Sequence, residues 1–164
     1  MRSFESMLRR RGEAGVTYVE MLVAMAVLAI LVSAAVPLAR WDQKRRAEVR
    51  LKTTLRVMRA AIDKYKEYAD QGLIILEDVD QMGYPRDLDE LVEGVEVGAG
   101  DSPDAKKIKF LQRFPVDPMT GEAEWGKRSY QDDWDSDSWG GENVYDVYSL
   151  SDRRALDGTY YRDW

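Results

Sequence analysis

The feature that most constrains this chain is an apolar run close to its N-terminus. Val16 to Ala39 spans 24 residues, and Glu20 is the only charged residue among them. A helix rises about 1.5 Å per residue, so this run predicts a helix of about 36 Å, long enough to cross a hydrocarbon core of about 30 Å. A carboxylate in such a helix costs about 2.5–3.5 kcal/mol at the bilayer centre, which indicates that Glu20 is paired or functional.

A short basic leader precedes the run, with arginines at positions 2, 9, 10 and 11. Gly15 stands five positions before Glu20, and Pro37 lies near the end of the run. This combination resembles the class III signal peptide of the type IV pilin superfamily. The resemblance implies that a prepilin peptidase cuts after Gly15 on the cytoplasmic face and that Val16 is then N-methylated. Most members have Phe after the glycine, and this chain has Val16.

Cleavage at that position would free an α-amine at Val16 in the membrane boundary. Glu20 is the only nearby charge able to neutralise this amine, on its own chain or on a neighbouring one. Pairing would offset the desolvation of both charges. We therefore predict that Glu20 sets the assembly register between chains. The alternative is a glutamate that snorkels to the interface and has no further role.

A Sec signal peptide also has a basic region, an apolar region and a small-residue cleavage site, for which Ser33 to Ala35 would serve. The length of the run and the charge of Glu20 argue against it. Cleavage after Gly15 leaves 149 residues and cleavage after Ala35 leaves 129, so mass distinguishes the two. Six Lys or Arg residues follow the run between Arg40 and Lys52, so the cytoplasmic placement of the N-terminus comes from the resemblance and not from charge.

Composition excludes several classes of site. The chain has no Cys and no His, which excludes a disulfide scaffold, a Cys/His zinc site and His- or Cys-based catalysis.

Charge is segregated along the chain, because residues 38–71 have a net charge of +5 and residues 122–164 have a net charge of −6. Two solvated surfaces would explain this, and so would contacts between basic and acidic faces of neighbouring subunits. The basic stretch could also lie against anionic lipid headgroups. An acidic exported part argues against a nucleic-acid partner.

The helix is predicted to continue beyond the membrane. Pro37 should kink it or loosen one turn. Apolar residues then recur at spacings of three and four, and Gly72 supplies a C-terminal stop after Asp70. The recurring residues are Leu51, Leu55, Met58, Ile62 and Tyr65.

These patterns divide the chain into four parts: a leader at 1–15, a membrane and assembly helix at 16–39, its amphipathic continuation at 40–71, and an exported globular domain at 72–164. In the last part we predict a turn and short helix from Tyr84 to Val92, ending at Gly94. A short helix or extended segment is expected from Lys107 to Phe114. Strands are predicted at 123–130, 143–149 and 159–164, the second with alternating faces. The predicted fold is therefore α+β and pilin-like, a long N-terminal helix packed on a small antiparallel sheet with a C-terminal loop region.

The exported part is also similar to the major pseudopilin of the type II secretion system. Tyr84-Pro85, the stretch from Pro115 to Pro118, and Tyr148 to Asp152 carry this resemblance. It implies a structural Ca²⁺ in the C-terminal loop, held at Asp152 and Asp157 with backbone oxygens near Leu150. The loop here is short and contains two arginines, at positions 153 and 154.

A second candidate calcium loop comprises Asp133, Asp135 and Asp137, which begin like an EF-hand. That pattern fails at its sixth position, where Ser138 replaces the glycine, and at its twelfth, where Val144 replaces the glutamate. Either ion would stabilise the fold. An acidic, solvated loop is the alternative for both.

The sequence predicts no enzyme, because it has no activated nucleophile pattern and no Gly-rich phosphate loop, and paired carboxylates such as Asp132 and Asp133 are commoner in surface loops than in catalysis. The resemblance implies a structural subunit. The resemblance implies an inner-membrane precursor, with its N-terminus in the cytoplasm, that polymerises into a periplasmic pseudopilus. Its implied partners are other copies of itself, minor pseudopilins, the prepilin peptidase, and an inner-membrane assembly platform with its ATPase. A type IV pilus subunit for adhesion, motility or DNA uptake, and a membrane-anchored binding domain that forms no filament, are the alternatives.

Overall fold

The computed structural model describes residues 15–98, 106–133, 135–136 and 138–164, without the side chains of Ala34 and Val36. The chain divides into two compact units, Met1–Trp41 and Asp42–Trp164. One helix, α1, extends over Tyr18–Asp70 and contains Pro37, so the proline does not end the helix. Whether Pro37 bends it stays a prediction. The helix begins two residues later than the sequence pattern indicates.

The C-terminal end of α1 has the predicted stop. Gly72 adopts a left-handed conformation with φ +69°. Its N–H donates to the Ala69 carbonyl at 2.9 Å, and the Leu73 N–H donates to the Tyr68 carbonyl at 3.0 Å. This pair of bonds is a Schellman motif, which satisfies carbonyls that the end of a helix leaves free.

The stripe on the second half of α1 forms the centre of the core. Leu51, Leu55, Met58, Ile62 and Tyr65 are each at most 3% exposed. Short elements of the following chain cover them, and the buried residues of these elements include Leu91, Val144, Val147 and Tyr161. The sequence prediction for this part of the helix is confirmed.

The strands form two separate antiparallel pairs in the described part of the chain. The strand β1 (Val95–Val97) pairs with β2 (Lys106–Ile108), and β3 (Gly126–Arg128) pairs with β4 (Asp146–Tyr148). The pilin-like α+β class is confirmed, but the single small sheet that was predicted is two sheets. The first pair was not anticipated, since Val95–Val97 is only three residues long.

One local prediction for the C-terminal part is wrong. Residues 159–164 do not form a strand, because Tyr161–Asp163 is a 3-10 helix. In such a helix residues three apart lie above one another, and Trp164 packs edge-on against the Tyr161 ring with 5.1 Å between centroids. Along β4 burial does not follow the alternation of faces, since Val147 and Tyr148 point to opposite faces of the strand and are both buried.

Short helical turns connect these pieces. The helix α2 occupies Asp89–Glu93 and ends at Gly94 with φ +87°, as the sequence predicted. A 3-10 helix at Val79–Gln81 was not predicted; the Asp78 side chain caps it by accepting from the Asp80 N–H. These turns fold the chain back onto the α1 stripe.

Candidate assembly site

The start of α1 places Glu20 close to the predicted cleavage position. The Thr17 hydroxyl oxygen accepts a hydrogen bond from the Glu20 N–H at 3.2 Å, and the Met21 N–H donates to the Thr17 carbonyl at 3.1 Å. Thr17 therefore acts as an N-cap, with Glu20 at the third helical position, as in half of a capping box. The sequence analysis missed Thr17, although T-x-x-E before an apolar run is the signal for such a cap.

The cap leaves Val16 outside the helix, within one turn of Glu20. The Glu20 side chain is exposed, and no cation among the described residues pairs with it. Gly15 is exposed too, and a Cβ added to it would meet no atom within 4 Å. The arginine-containing leader, positions 1–14, lies outside the described residues. Cleavage at Gly15 and methylation of Val16 stay predictions.

The apolar half of α1 is exposed along its length within its own unit. Val16 is 68% exposed, Leu28 59% and Leu31 60%. This is the one helix in the described part that is long and apolar enough to cross a membrane, and none of its apolar stretch is buried. An N-terminal helix of this kind fits a single-pass membrane anchor.

In the second unit, an arginine on α1 holds two distant chain segments. The Arg59 guanidinium donates to both carboxylate oxygens of Asp146, at 2.6 and 3.2 Å. It also donates to the carbonyls of Val147 and Trp164, at 3.1 and 2.7 Å. Both side chains of the ion pair are partly buried, a setting in which a charged hydrogen bond contributes more than at an open surface. No sequence pattern pointed to Arg59.

Two charged residues one helical turn apart fasten the C-terminal loop to α1. The Lys44 ammonium donates to the Arg154 carbonyl at 2.6 Å. The Glu48 carboxylate accepts from the Leu156 N–H at 2.8 Å and from the Tyr161 hydroxyl at 2.9 Å. Burial and then the bond to Glu48 raise the pKa of Tyr161 to about 12.

The first candidate calcium loop has few free oxygen ligands. The Asp157 carboxylate accepts from both the N–H and the hydroxyl of Thr159, which lowers its pKa. The Arg153 guanidinium donates to the Met119 carbonyl and to the Ser151 hydroxyl. Leu150 is exposed, and so is Asp152. Ca²⁺ takes six to eight oxygens, so an ion here would depend on Asp152, Asp157 and backbone carbonyls.

The second candidate loop is only partly described, because Asp137 lies outside the described residues. Asp133 and Asp135 are exposed. Among the residues that the structure describes, no group of three or more Asp, Glu, His or Cys side chains could hold a metal ion. Calcium binding at either loop therefore stays a proposal.

Carboxylates that could suggest catalysis have structural partners. Asp132 accepts from the N–H groups of Ser129 and Gly140, at 2.7 and 3.2 Å, and so shapes its own turn. The buried Asp117 accepts from the Ser149 hydroxyl at 2.6 Å and from the Met119 N–H at 2.7 Å. These bonds hold the segment 117–122 against β4.

Glu90, on α2, is a half-buried carboxylate with a raised pKa. It accepts from the Tyr65 hydroxyl at 2.9 Å. Burial raises the pKa of Glu90, an effect that the hydrogen bond from Tyr65 partly offsets. Burial also raises the pKa of Tyr65 well above its usual range. The pair joins α2 to the stripe on α1.

Comparison with known proteins gave one match. The model of the prokaryotic N-terminal methylation motif matches residues 10–36, which include Gly15, Val16 and Glu20. Neither the curated proteins nor the solved structures gave a match over the chain.

Proposed function

Because the chain carries the methylation motif that marks type IV pilin-like proteins, including pseudopilins, we propose that it is a structural subunit of a periplasmic pseudopilus that drives protein export by a type II secretion system. Type IV pilin-like proteins are structural and not enzymatic. The observation that carries the proposal is the exposed apolar half of α1, which starts beside Glu20 and lies mostly within the matched segment.

An apolar helix with no cover needs a low-dielectric surrounding. Before assembly the membrane supplies it, and after extraction neighbouring stems supply it. Glu20 would then pair with the methylated amine of Val16 on a neighbouring copy. A correctly placed pair satisfies two otherwise costly charges, whereas a shifted pair leaves both unmatched. This difference gives the filament its register.

The choice of a secretion pseudopilus over a pilus is supported by the resemblance of three segments in the exported domain. They are Tyr84-Pro85, 115–118 and 148–152. The absence of cysteine agrees with this choice, since a C-terminal disulfide is frequent in type IV pilins. The implied partners are minor pseudopilins, the prepilin peptidase, and the assembly platform with its ATPase.

The decisive experiment has two parts in the native host. Mass spectrometry of the membrane protein should find an N-methylated chain that begins at Val16 and contains 149 residues. Glu20→Leu should abolish filaments while leaving the protein processed and in the membrane. Ser33→Ala removes another polar group from the same stem, a hydroxyl that donates to the Ile30 carbonyl, and should leave filaments intact. Filaments of normal yield from Glu20→Leu would contradict the proposal.

Deletion of the gene distinguishes the two filament types. We expect loss of secreted proteins from the medium with normal surface motility and DNA uptake. Loss of motility or DNA uptake with normal secretion would identify a pilus subunit. An effect on neither, together with a processed monomer in the membrane, would favour the anchored binding domain.

A further inference from the structure

An apolar groove lies between α1 and the segment that follows β2. Its volume is about 740 Å³. Phe110 and Phe114 line it and are half-buried, whereas Val57 and Val116 are 50% and 56% exposed. We call this surface, together with Arg50 and Arg113, the basic groove. Apolar side chains in an open groove are typical of a surface that another protein covers.

The two arginines of the basic groove have no acidic partner in the described part of the chain. Arg50 and Arg113 are both exposed, and neither forms an ion pair with a carboxylate of the described residues. By contrast, Arg46 on the same helix is paired with Asp42 at 2.8 Å. The groove therefore combines apolar area with two unmatched positive charges.

A second surface combines aromatic rings with nearby carboxylates, and so complements the basic groove. Tyr84, Tyr130 and Tyr145 form a cluster in which every ring contacts the other two, with centroids 5.3–6.0 Å apart. Tyr130 is 52% exposed and Tyr145 47%. Tyrosine is enriched at the energetic centres of protein interfaces, because it supplies rigid apolar area with a polar tip.

Acidic residues lie beside this cluster in the chain. The segment 131–144 joins Tyr130 to Tyr145 in the sequence and contains Asp133, Asp135 and Glu142, all exposed. None of these three forms an ion pair within the described part of the chain. We call the three tyrosines and these three carboxylates the acidic patch. All of these residues except Tyr84 lie in the stretch 122–164, whose net charge is −6.

The two surfaces occupy different positions along α1. Val57 of the basic groove and Lys66, whose ammonium lies 5.5 Å from the Tyr84 ring centroid, are nine residues apart. Nine residues correspond to about 14 Å along a helix. A contact between two different patches on identical chains is heterologous, and repetition of such a contact extends an open polymer when the rotation between copies does not close a ring.

We propose that the acidic patch of one copy docks into the basic groove of the next copy in the filament. This inference rests on the proposed function, because it names the contact between exported domains in the polymer. Apolar area supplies affinity, and the charges on Arg50 and Arg113 select the acidic patch over other surfaces. The contact adds to the packing of the apolar stems and offsets each domain along the helix axis.

Cysteine cross-linking of the full-length protein in its native host tests the contact. The chain has no cysteine, so every disulfide must join engineered positions. A chain with both Val116→Cys and Tyr130→Cys should give a ladder of dimers, trimers and longer products on oxidation. The two single variants should each stay monomeric, and their co-expression should stop at dimers. Replacing Tyr130→Cys by Ile75→Cys, at an apolar position that is 71% exposed and outside both surfaces, should remove the ladder.

A charge variant tests the electrostatic part in the same assay. Arg50→Gln with Arg113→Gln should lower the ladder yield roughly tenfold. Arg46→Gln removes a charge from the same helix that is already paired within the chain, and it should leave the yield unchanged. Equal losses from both variants would overturn the role given to Arg50 and Arg113.

The outcomes separate this inference from the proposed function. Normal filaments without a Val116–Tyr130 product overturn the contact and leave the subunit function standing. A product from Val116→Cys alone, or a double variant that stops at dimers, shows a closed contact and overturns the heterologous one. A disulfide between Val116→Cys and a different protein would mean that this other protein occupies the groove, and it overturns the contact between copies. If the wild-type chain forms no filaments, both proposals fall.

Discussion

The two halves of α1 have the same backbone and opposite surfaces. In the first half, apolar residues occur on every side of the helix and stay exposed, as at Leu28 and Leu31. In the second, they form a stripe that its own chain buries, as at Leu55 and Met58. The first half needs material from outside the chain, whereas the second completes a domain. Hydrophobic pattern, more than helix propensity, decides which partner each half takes.

The largest expected effect comes from truncating a buried leucine in the second half of α1. The same truncation in the first half is the control. Leu55→Ala removes a side chain that is 2% exposed, and it should destabilise the exported domain by about 2–5 kcal/mol. Leu28→Ala makes the same chemical change in the other unit and should leave domain melting unchanged. Both are measured on the full chain in detergent by tryptophan fluorescence, to which the buried Trp125 contributes. Equal losses of stability would contradict the division of α1 into two independent halves.

A smaller loss is expected where the second half is fastened by charge. Arg59→Met leaves Asp146 without its cation and two carbonyls without a donor. We expect a loss of about 1.5–3 kcal/mol in the free energy of unfolding. Asp146→Asn keeps an acceptor for Arg59 and should cost less. If Asp146→Asn costs as much as Arg59→Met, the bonds to the two carbonyls contribute nothing.

The calcium prediction concerns the C-terminal loop, which Lys44 and Glu48 hold on the second half of α1. A structural ion at the C-terminal loop predicts a higher melting temperature in millimolar Ca²⁺ than in chelator, since a ligand that binds only the folded state stabilises it. Asp152→Asn with Asp157→Asn should remove the increase, while Asp133→Asn with Asp135→Asn tests the second loop. A melting temperature that does not respond to Ca²⁺ would leave Lys44 and Arg153 as the cations that hold the loop.

The smallest expected effect is the pH dependence of the contact between α2 and the stripe. The folded state raises the pKa of Glu90 through burial, so the folded state favours the protonated form. Stability from this residue is therefore present at low pH and is lost as pH rises past the ordinary range of a glutamate. Glu90→Gln keeps an acceptor for the Tyr65 hydroxyl and removes the charge.

At neutral pH the free energy of unfolding of the Gln variant should exceed that of the wild type by less than about 1 kcal/mol, because the site is half-open to solvent. The two proteins should converge toward about pH 4. Melting curves across this range provide the measurement. A variant that is less stable than the wild type at neutral pH, with a difference that vanishes in acid, would mean that the folded state lowers the pKa of Glu90.

The comparison of the two halves also explains what the sequence could predict. Long periodic features were recovered, because 24 apolar residues, a repeat of three and four, and a glycine stop each depend on local chemistry. The Schellman motif at Gly72 and the core position of Leu51 follow from such patterns. Thr17 carried a readable signal that was overlooked.

Long-range contacts were not recoverable from these patterns. Arg59 reaches Asp146 across 87 positions, and Glu48 reaches Tyr161 across 113. Strands of three residues give too short a period to recognise, so β1 was missed, and β2 was covered only by the prediction of a short helix or extended segment from Lys107 to Phe114. The aromatic segment 159–164 favoured a strand by composition, but packing of Trp164 on Tyr161 imposed a tighter turn. Tertiary contacts decided these segments.

The fastening of the C-terminal loop by Lys44 and Glu48 has a consequence for how the domain responds to its solvent. The hydrogen bonds of Lys44 and Glu48 to the loop involve full charges at partly open positions, so dissolved ions weaken them. The apolar stripe beneath the loop is insensitive to such screening. Ionic strength therefore weakens the attachment of this loop more than the packing of the stripe. In concentrated salt the loop should detach and exchange its amide protons while the helix beneath it stays folded.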